Sequence, residues 1–275
     1  MQVQANGWTF DGLAWGARGS APPVVCLHGF PQRCTSWAAV AQRLEATGLH
    51  VVALDQRGYS PGARPRAVGD YAVPNLVADA IAMLEAIGSP VHLVGHDWGG
   101  VVGWQVAARR PDLVLSWTAV STPNQQAIDR VLTDDPAERE RFAYMRMFRQ
   151  EGIAEQALLG NGGAGLRAVY AGRVPPERVE DDVAFFQQPG VLTAALNWYR
   201  SMDPRYAADL APVTVATAYV WGSADQAFGR AAAELTGTFV TAPYRFVPLD
   251  GASHWLPDEA PDTVADVIAE QVSVG

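Results

Sequence analysis

Two spacings of apolar residues recur along the chain and predict strands and helices in alternation. Short apolar runs closed by turn residues are typical of buried strands, whereas apolar residues three or four positions apart are typical of amphipathic helices. Leu76, Ala80, Leu84 and Ile87 follow the helical spacing. The first pattern predicts strands over 3–5, 8–15, 23–27, 50–54, 91–94, 113–120, 217–221 and 244–249, and the second predicts helices over 37–46, 76–87, 101–109, 230–235 and 261–271.

This alternation predicts a mostly parallel, doubly wound sheet, because parallel strands need crossover connections. No strand is predicted between about 123 and 206, where the chain is rich in Arg and Glu and is broken by Pro and Gly. Open α/β sheets bind their ligands at the carboxyl edge of the strands. We therefore predict an α/β core of residues 1–122 and 207–275 with an inserted helical cap, residues 123–206, over this edge. Helices are predicted in the cap over 136–148, 153–159, 175–186 and 192–201.

Composition narrows the class of protein. Hydrophobic residues make up 49% of the 275-residue chain, enough for a sizeable core, and the net charge of −9 argues against binding to nucleic acid or an anionic membrane. The sequence contains no Lys, which excludes Schiff-base chemistry and a Walker-type phosphate loop. No apolar stretch approaches the ~20 residues of a membrane span, and residues 1–7 do not resemble a secretory signal. We expect a cytoplasmic protein, monomeric or homodimeric, in which Cys26 and Cys34 stay reduced.

The most informative motif is Gly-His-Asp-Trp-Gly-Gly at residues 95–100, directly after the apolar run 91–94. A strand, a small residue, a reactive residue, a small residue and a helix are the pattern of a nucleophile elbow. The reactive residue here is Asp97, whose carboxylate is ionised at neutral pH and can displace a leaving group from a saturated carbon without a base. The resulting ester can then be hydrolysed. Taken alone, Asp97 is equally well explained as the N-cap of the following helix.

Two later residues favour the catalytic interpretation. Asp225 lies just after the predicted strand 217–221, and His254 lies in the loop after the last strand. Nucleophile, acid and histidine in this chain order are typical of α/β-sheet hydrolases. His254 would activate a water as general base, and Asp225 would fix its tautomer, with Asp250 as a rival for the acid role. Each of these residues also has an ordinary structural explanation as a turn or loop residue.

A turn after the first long strand completes the predicted site. His28-Gly29-Phe30-Pro31 follows the strand 23–27, and the backbone N–H groups of Phe30 and Trp98 are predicted to form an oxyanion hole for ester hydrolysis. His28 is expected to be mainly a hydrogen-bonding residue of this turn. The residues expected to border the substrate pocket are His28, Pro31, Trp198 and Trp255.

Four motifs resemble those of the α/β-hydrolase-fold epoxide hydrolases, and the resemblance spans nearly the whole chain. The resemblance implies an α/β-hydrolase fold and an aspartate nucleophile at Asp97. Dehalogenases share this branch, so the resemblance leaves the leaving group open. The motifs are His28-Gly29-Phe30-Pro31, Asp55-Gln56-Arg57-Gly58-Tyr59, the elbow at 95–100 and Gly251-Ala252-Ser253-His254-Trp255.

The resemblance also implies two cap tyrosines that donate hydrogen bonds to the epoxide oxygen. Residues 196–200, Leu-Asn-Trp-Tyr-Arg, are similar to the family's motif around one of them and point to Tyr199. Residues 142–148 are a weaker match around the second, Tyr144, because the segment is richer in Arg and Met than expected, and Tyr170 is an alternative donor. A phenol with a pKa of about 10 is a neutral donor for the alkoxide that forms when the ring opens. Simple packing of a cap helix also explains a tyrosine there.

We expect from these residues an epoxide hydrolase that forms a vicinal diol without a cofactor or metal. Its substrate would be a small apolar or aromatic epoxide, because tryptophans and the cap residues Phe185 and Phe186 are expected near the pocket. Arg146 and Arg149 could recognise an acidic substrate group or lie in solvent.

Two alternatives remain open at this stage. One is a haloalkane or haloacid dehalogenase, which needs N–H donors for the departing halide. Trp98 could supply one donor, but the position after His28-Gly29 is Phe30 rather than Asn. The other alternative is a ligand-binding protein on a hydrolase scaffold that does not turn over.

Overall fold

An eight-stranded sheet forms the centre of the computed structural model, which describes residues 1–88, 90–203 and 205–274. Its strands are β1 Gln2–Ala5, β2 Trp8–Trp15, β3 Val24–Leu27, β4 Val51–Leu54, β5 Val91–His96, β6 Val114–Val120, β7 Ala216–Gly222 and β8 Tyr244–Leu249. They are ordered β1-β2-β4-β3-β5-β6-β7-β8. The pairs β1–β2 and β2–β4 are antiparallel and the others are parallel. The prediction of a mostly parallel, doubly wound α/β sheet is confirmed.

The central strands are buried on both faces of this sheet. Successive side chains of a strand point to opposite faces, and so Val25 and Leu27 pack into one apolar cluster while Val24 and Cys26 pack into another. The α-helices are α1 Ala38–Ala46, α2 Val73–Ile87, α3 Trp98–Arg109, α4 Gln125–Asp134, α5 Pro136–Arg141, α6 Tyr144–Phe148, α7 Ile153–Val169, α8 Pro176–Phe186, α9 Val191–Ser201, α10 Arg230–Leu235, α11 Leu256–Glu259 and α12 Pro261–Val274.

The helices pack on both faces of the sheet, and each of the two apolar clusters includes the helices on one face. Residues of α2, α3 and the helical segment between β6 and β7 contribute to the first cluster, and residues of α1 and α12 contribute to the second. Within the part of the chain that the structure describes, no helix is long and apolar enough to cross a membrane.

Helices α4 to α9 follow one another between β6 and β7, and they differ from the predicted cap helices in three ways. Helix α4 was not predicted. Its N-cap is Asn124, whose side chain accepts a hydrogen bond from the backbone N–H of Gln126 at 2.9 Å. The single helix predicted over 136–148 is two helices, α5 and α6, with a turn at residues 142–143 between them, where Phe142 packs against Phe228 in a separate small cluster.

Helix α7 is the third difference, because a second helical half, which ends at Val169, follows the predicted helix 153–159. The two halves meet at a kink over Gly160–Gly163, where Asn161, Gly162 and Gly163 have φ angles of 52°, 70° and 92°. Glycine adopts these angles at little cost, and so the chain turns between the two halves. The Gly-rich stretch marked a break in the sequence, but it did not show that a second helical half follows.

Candidate active site

Asp97 lies in a tight turn between the end of β5 and the start of α3. Its backbone has φ 50° and ψ −119°, a conformation that is costly for a residue other than glycine. Small neighbours make the turn possible: a side chain on Gly100 would come within 2.5 Å of Thr122 Cβ, and one on Gly99 would overlap the carbonyl group of Leu27. The turn therefore presents the Asp97 carboxylate at the carboxyl edge of the sheet, as a nucleophile elbow does.

The two oxygens of the Asp97 carboxylate have different surroundings. Oδ1 accepts a hydrogen bond from the backbone N–H of Phe30 at 2.7 Å, and the carboxylate also accepts one from the backbone N–H of Trp98. Oδ2 faces His254, with 3.4 Å between it and Nε2. Gly29 must remain glycine, since a side chain there would overlap this carboxylate. Oδ1 is thus held by the Phe30 amide, one of the two amides predicted for the oxyanion hole, and Oδ2 is the oxygen that can attack.

His254 lies between two carboxylates. Its Nδ1 is 2.9 Å from Oδ2 of Asp225, on the side away from Asp97. The second oxygen of Asp225 accepts hydrogen bonds from the backbone N–H groups of Ala227 and Phe228, at 2.7 and 3.0 Å. These three bonds fix the carboxylate so that Oδ2 accepts a hydrogen bond from Nδ1–H of His254. Nε2 of His254 is therefore the ring nitrogen that faces Asp97 Oδ2.

Asp250, the rival for the acid role, lies elsewhere. Its carboxylate accepts a hydrogen bond from Ser223 Oγ at the protein surface, 3.0 Å away. The structure therefore brings Asp97, His254 and Asp225 together and leaves Asp250 outside the group.

The charges of this group shift the pKa values of its members. Burial alone would lower the pKa of His254, but the charge and hydrogen bond of Asp225, followed by those of Asp97, outweigh it and raise the pKa to about 10. Burial would raise the pKa of Asp97, but the hydrogen bond and positive charge of His254 outweigh it and lower the pKa. The resting site at neutral pH is therefore an imidazolium between two carboxylates.

Two residues that the sequence interpretation missed hold the loop that carries His254. The backbone carbonyl of His254 accepts hydrogen bonds from Ser121 Oγ at 2.7 Å and from His96 Nε2 at 2.8 Å. Burial, and then the positive charge of His254, lowers the pKa of His96 to about 3, so this ring is neutral. The sequence could have indicated that these two residues lie at the site, because His96 ends β5 and Ser121 directly follows β6, and these two strands are adjacent and parallel.

Tyr144 at the start of α6 and Tyr199 near the end of α9 face the same space as Asp97. Their ring centroids are 6.4 Å apart, and the ring of Tyr199 packs edge-on against Trp98 at 5.1 Å. Burial, and then the negative charge of Asp97, raises the pKa of both phenols. Both tyrosines are therefore neutral hydrogen-bond donors across the physiological pH range.

Two cavities meet at Asp97, Tyr144 and Tyr199, which line both of them. The larger has a volume of ≈ 470 Å³, and the smaller has a volume of ≈ 270 Å³. The larger cavity is also lined by His254 and by the mainly apolar side chains Phe30, Met147, Phe148, Leu158, Val169 and Trp255. The smaller is also lined by Trp98, Ile128, Phe142, Met145, Arg146, Arg149 and Phe228.

The two arginines at the smaller cavity differ in their surroundings. Arg149 donates a hydrogen bond from Nε to the backbone carbonyl of Tyr199 at 3.0 Å. Arg146 is exposed and lies 3.7 Å from Glu140. Both line the cavity, and so their charges lie at the edge of the space that a substrate would occupy.

Among the described residues, three of those expected at the substrate pocket lie outside the lining of both cavities. His28 is fully buried, and its Nε2 accepts a hydrogen bond from the backbone N–H of Gln56 at 3.1 Å. Trp198 lies behind Trp98 and donates from its indole nitrogen to a backbone carbonyl. The carbonyl of Pro31, the third, lies 3.3 Å from the hydroxyl group of Tyr170.

Tyr170, the alternative proton donor, is turned away from the reaction site. Its hydroxyl group donates to Asp182 Oδ2 at 2.7 Å, and it is outside the lining of both cavities among the described residues. Of the four residues expected to border the substrate pocket, Trp255 is the one that lines either of these two cavities in the described part of the chain. Residue type and loop position identified these side chains, but their orientation depends on hydrogen bonds that the sequence does not show.

No cluster of three or more His, Cys, Asp or Glu side chains suited to a metal ion occurs within residues 1–88, 90–203 and 205–274. The acidic and histidine side chains at the site are engaged with one another and with backbone N–H groups, as described above. The arrangement suits nucleophilic attack by a carboxylate, followed by attack of a water activated by His254.

Comparisons with known proteins show the family to which this chain belongs. A model of the alpha/beta hydrolase fold family matches residues 22–261. Epoxide hydrolase A of Mycobacterium tuberculosis is 30% identical over an alignment of 308 positions that covers 98% of this chain and 95% of the relative. The AB hydrolase superfamily protein YfhM of Bacillus subtilis is 31% identical over 98% of this chain and 96% of the relative. The crystal structure of Epoxide Hydrolase A from Mycobacterium thermoresistibile has a TM-score of 0.84 and 28% identity, covering 99% of this chain and 97% of that one.

Proposed function

This chain belongs to the α/β-hydrolase fold family, in its epoxide hydrolase branch, and on that premise we propose that it opens epoxides to vicinal diols through a covalent ester on Asp97. One observation carries the proposal: Asp97, with Oδ1 held by the Phe30 amide and Oδ2 facing His254, lines the same cavities as two neutral phenols, Tyr144 and Tyr199. A carboxylate nucleophile explains the attack on carbon. The phenols explain how the epoxide oxygen leaves.

In the first step, Oδ2 of Asp97 attacks an epoxide carbon and the carbon–oxygen bond of the ring breaks. The departing oxygen takes the electron pair, and a phenol donates the proton that makes it a hydroxyl group. Two donors, Tyr144 and Tyr199, can hold this oxygen together before and during the transfer. Because these phenols are neutral, they stabilise the developing alkoxide without holding a charged product afterwards.

Ester formation then prepares His254 for the second step. The ester is uncharged, and so one of the two carboxylates that raise the pKa of His254 is lost. The imidazolium of His254 gives its proton to the phenolate that the first step leaves. His254 then becomes the neutral base that the reaction requires. Asp225 remains and holds the Nδ1–H tautomer, which leaves Nε2 free to accept a proton from water.

Water then attacks the carbonyl carbon of the Asp97 ester. The oxygen that becomes negative is Oδ1, which already lies 2.7 Å from the Phe30 amide nitrogen, and the Trp98 amide is the second donor. The ester bond breaks, and His254 passes the proton that it took from water to the leaving oxygen, so that the diol leaves with the original Oδ2. The water oxygen stays in the Asp97 carboxyl group, whose remaining proton passes to His254 and restores the carboxylate and the imidazolium. The geometry of the resting carboxylate therefore suits both steps.

The lining of the larger cavity supports an apolar or aromatic substituent on the epoxide, since aromatic and aliphatic side chains form most of it. The smaller cavity, on the other side of the shared residues Asp97, Tyr144 and Tyr199, leaves room for a second, shorter substituent. A cytoplasmic location and a monomeric or homodimeric state stay predictions.

The proposal is tested by the intact mass of the His254→Gln variant after exposure to styrene oxide and, separately, to 1-bromobutane. Without the base the ester should persist, and a mass gain equal to the whole of styrene oxide is expected. A gain equal to 1-bromobutane minus hydrogen bromide, without an epoxide adduct, would assign the protein to the dehalogenases. If neither reagent, nor a panel of further epoxides, leaves an adduct, the covalent mechanism is wrong. His254→Gln combined with Asp97→Asn is the control, and it should gain no mass.

A further inference from the structure

Arg200 directly follows Tyr199 in the motif 196–200, and nothing in the proposed reaction uses it. Its side chain is 6% exposed, and its Nη2 donates to both carboxylate oxygens of Glu155, at 2.8 and 3.0 Å. Glu155 lies in the first turn of α7, and its side chain is 20% exposed. Because burying two charges is costly, such a pair contributes little net stability and needs another explanation.

Glu155 joins the start of α7 to two positions on α9. Besides the bonds from Arg200, its carboxylate accepts hydrogen bonds from Thr193 Oγ at 2.9 Å and from the backbone N–H of Gly152 at 2.8 Å. Thr193 and Arg200 lie about two turns apart on α9. Burial would raise the pKa of Glu155, but the hydrogen bonds that it accepts, first that from Arg200, outweigh burial and lower the pKa. One ionised carboxylate thus fixes the position of α9 along its axis relative to α7.

Arg149 holds the same end of α9 from a second direction. It directly follows α6, the helix that begins at Tyr144, and its Nε donates to the backbone carbonyl of Tyr199 at 3.0 Å. The last four carbonyls of a helix have no partner within the helix and carry a partial negative charge, and so a guanidinium suits this position. Tyr199 is therefore tied to the chain around Tyr144 through its own carbonyl and, one residue later, through Arg200.

These bonds fix a movement that the packing of the Tyr199 ring leaves open. The ring contacts Trp98 and Phe148, with ring centroids 5.1 and 5.0 Å away. Apolar packing is non-directional, and so it keeps the ring in the cavity wall without fixing α9 along its axis. Charge-assisted hydrogen bonds add geometric specificity, and here they join α9 to the segment 144–155, which carries Tyr144.

We propose that Arg149, Glu155 and Arg200, which we call the α9 clamp, are positioning residues for Tyr199 and set the distance between the two phenols that hold the epoxide oxygen. The inference rests on the proposed function, because this distance matters only if an epoxide is opened. Among the described residues, Glu155 and Arg200 lie outside the lining of both active-site cavities, and so they act through Tyr199 and not on the substrate.

The test is a double-mutant cycle on the rate of ester formation, measured by stopped-flow tryptophan fluorescence with excess styrene oxide. Glu155→Ala should slow ester formation about tenfold or more, because a shift of about 1 Å at a reacting group can cost about 10²-fold. Combined with Tyr199→Phe, the same substitution should slow it by less than about twofold further, because the phenol that the clamp positions is already absent. Arg200→Lys, whose flexible side chain can place one nitrogen near Glu155, should retain most of the rate.

Two further variants separate positioning from stability. Glu155→Ala leaves Arg200 buried without its partner, which destabilises the fold. Arg200→Met removes the buried cation instead, and it should give the same result in the cycle. Glu180→Ala is the matched control, because Glu180 pairs with Arg167 through two bonds of 2.6 Å that join α7 to α8 instead of α9. This variant should form the ester as fast as the unchanged protein.

Equal slowing by Glu155→Ala and Arg200→Met with and without Tyr199→Phe would overturn the inference, as would no slowing by either variant. Slowing by Glu180→Ala as large as that by Glu155→Ala would also overturn it, since any loss of a helix-to-helix ion pair would then suffice. A failure of the proposed function is distinct, because the unchanged protein would then form no ester with styrene oxide or the further epoxides, and this would overturn both.

Discussion

Replacing Asp225 by Asn should leave the first chemical step largely intact and disable the second. The side-chain oxygen of Asn would take the place of Oδ1, because the backbone N–H groups of Ala227 and Phe228 require an acceptor there. The amide nitrogen, a donor, would then face His254 Nδ1. That nitrogen would have to accept, and so the ring proton would move to Nε2, which could no longer take a proton from water.

The size of the effect follows from the lost charge pair. Nδ1 of His254 and Oδ2 of Asp225 are 2.9 Å apart. Because both charges are delocalised, an effective separation of about 4 Å is appropriate, which gives about 4 kcal/mol at an effective dielectric constant of about 20. Since about 1.4 kcal/mol corresponds to tenfold in rate, ester hydrolysis should slow about 10³-fold, and the wrong tautomer adds to this loss.

Stopped-flow tryptophan fluorescence with excess epoxide separates the two steps. For Asp225→Asn, the fast phase of ester formation should stay within about tenfold of the unchanged enzyme, while kcat falls about 10³-fold and the ester accumulates to near one per active site. Asp250→Asn, whose carboxylate bonds to Ser223 at the surface, should behave as the unchanged enzyme. A loss of less than tenfold in kcat, or an equal loss in both phases without an accumulated ester, would refute the role given to Asp225.

Two further predictions concern the phenols and the charge of His254. The single variants Tyr144→Phe and Tyr199→Phe should each slow ester formation, and the double variant should slow it by about 10²–10⁴, as expected when a general acid is lost; stopped-flow rates that stay within tenfold in the double variant would contradict this. The second prediction is a pH dependence of stability. Folding raises the pKa of His254 from its ordinary 6.5 to about 10, so its stabilising contribution is complete below pH 6.5 and is lost as the pH rises towards 10. Urea unfolding should therefore show a steeper fall of stability between pH 6.5 and 10 for the unchanged protein than for His254→Gln, and parallel curves would show that the histidine is not held as an imidazolium.

Sequence patterns predicted that Asp97, Asp225 and His254 lie together, because their positions depend on strand ends. Asp97, Asp225 and His254 each follow a strand of the parallel sheet, and parallel strands bring their carboxyl ends to one edge. Tyr199 could be placed by its local motif. The orientation of His28 and Trp198 could not be predicted, because each ring is turned by a hydrogen bond to a backbone group distant in the chain.

The segment between β6 and β7 was predicted less completely than the sheet. At the turn between α5 and α6, Phe142 packs on Phe228, and this contact joins residues more than 80 positions apart. Beyond Gly163, the second half of α7 lies close to the first half. A side chain on Gly165 would overlap the backbone of Ala157 and Leu158. The helix propensity of neighbouring residues gives no information about such contacts.

Transfer of water oxygen into the Asp97 carboxylate is the most direct test of the covalent mechanism. A single turnover in H₂¹⁸O, with enzyme in excess over epoxide, is followed by mass spectrometry of the peptide that contains Asp97 and of the diol. The mechanism predicts one ¹⁸O atom in Asp97 and none in the diol, because water attacks the ester carbonyl and the diol leaves with Oδ2. Label in the diol with an unlabelled Asp97 would show that water attacks the epoxide directly, and it would contradict the ester.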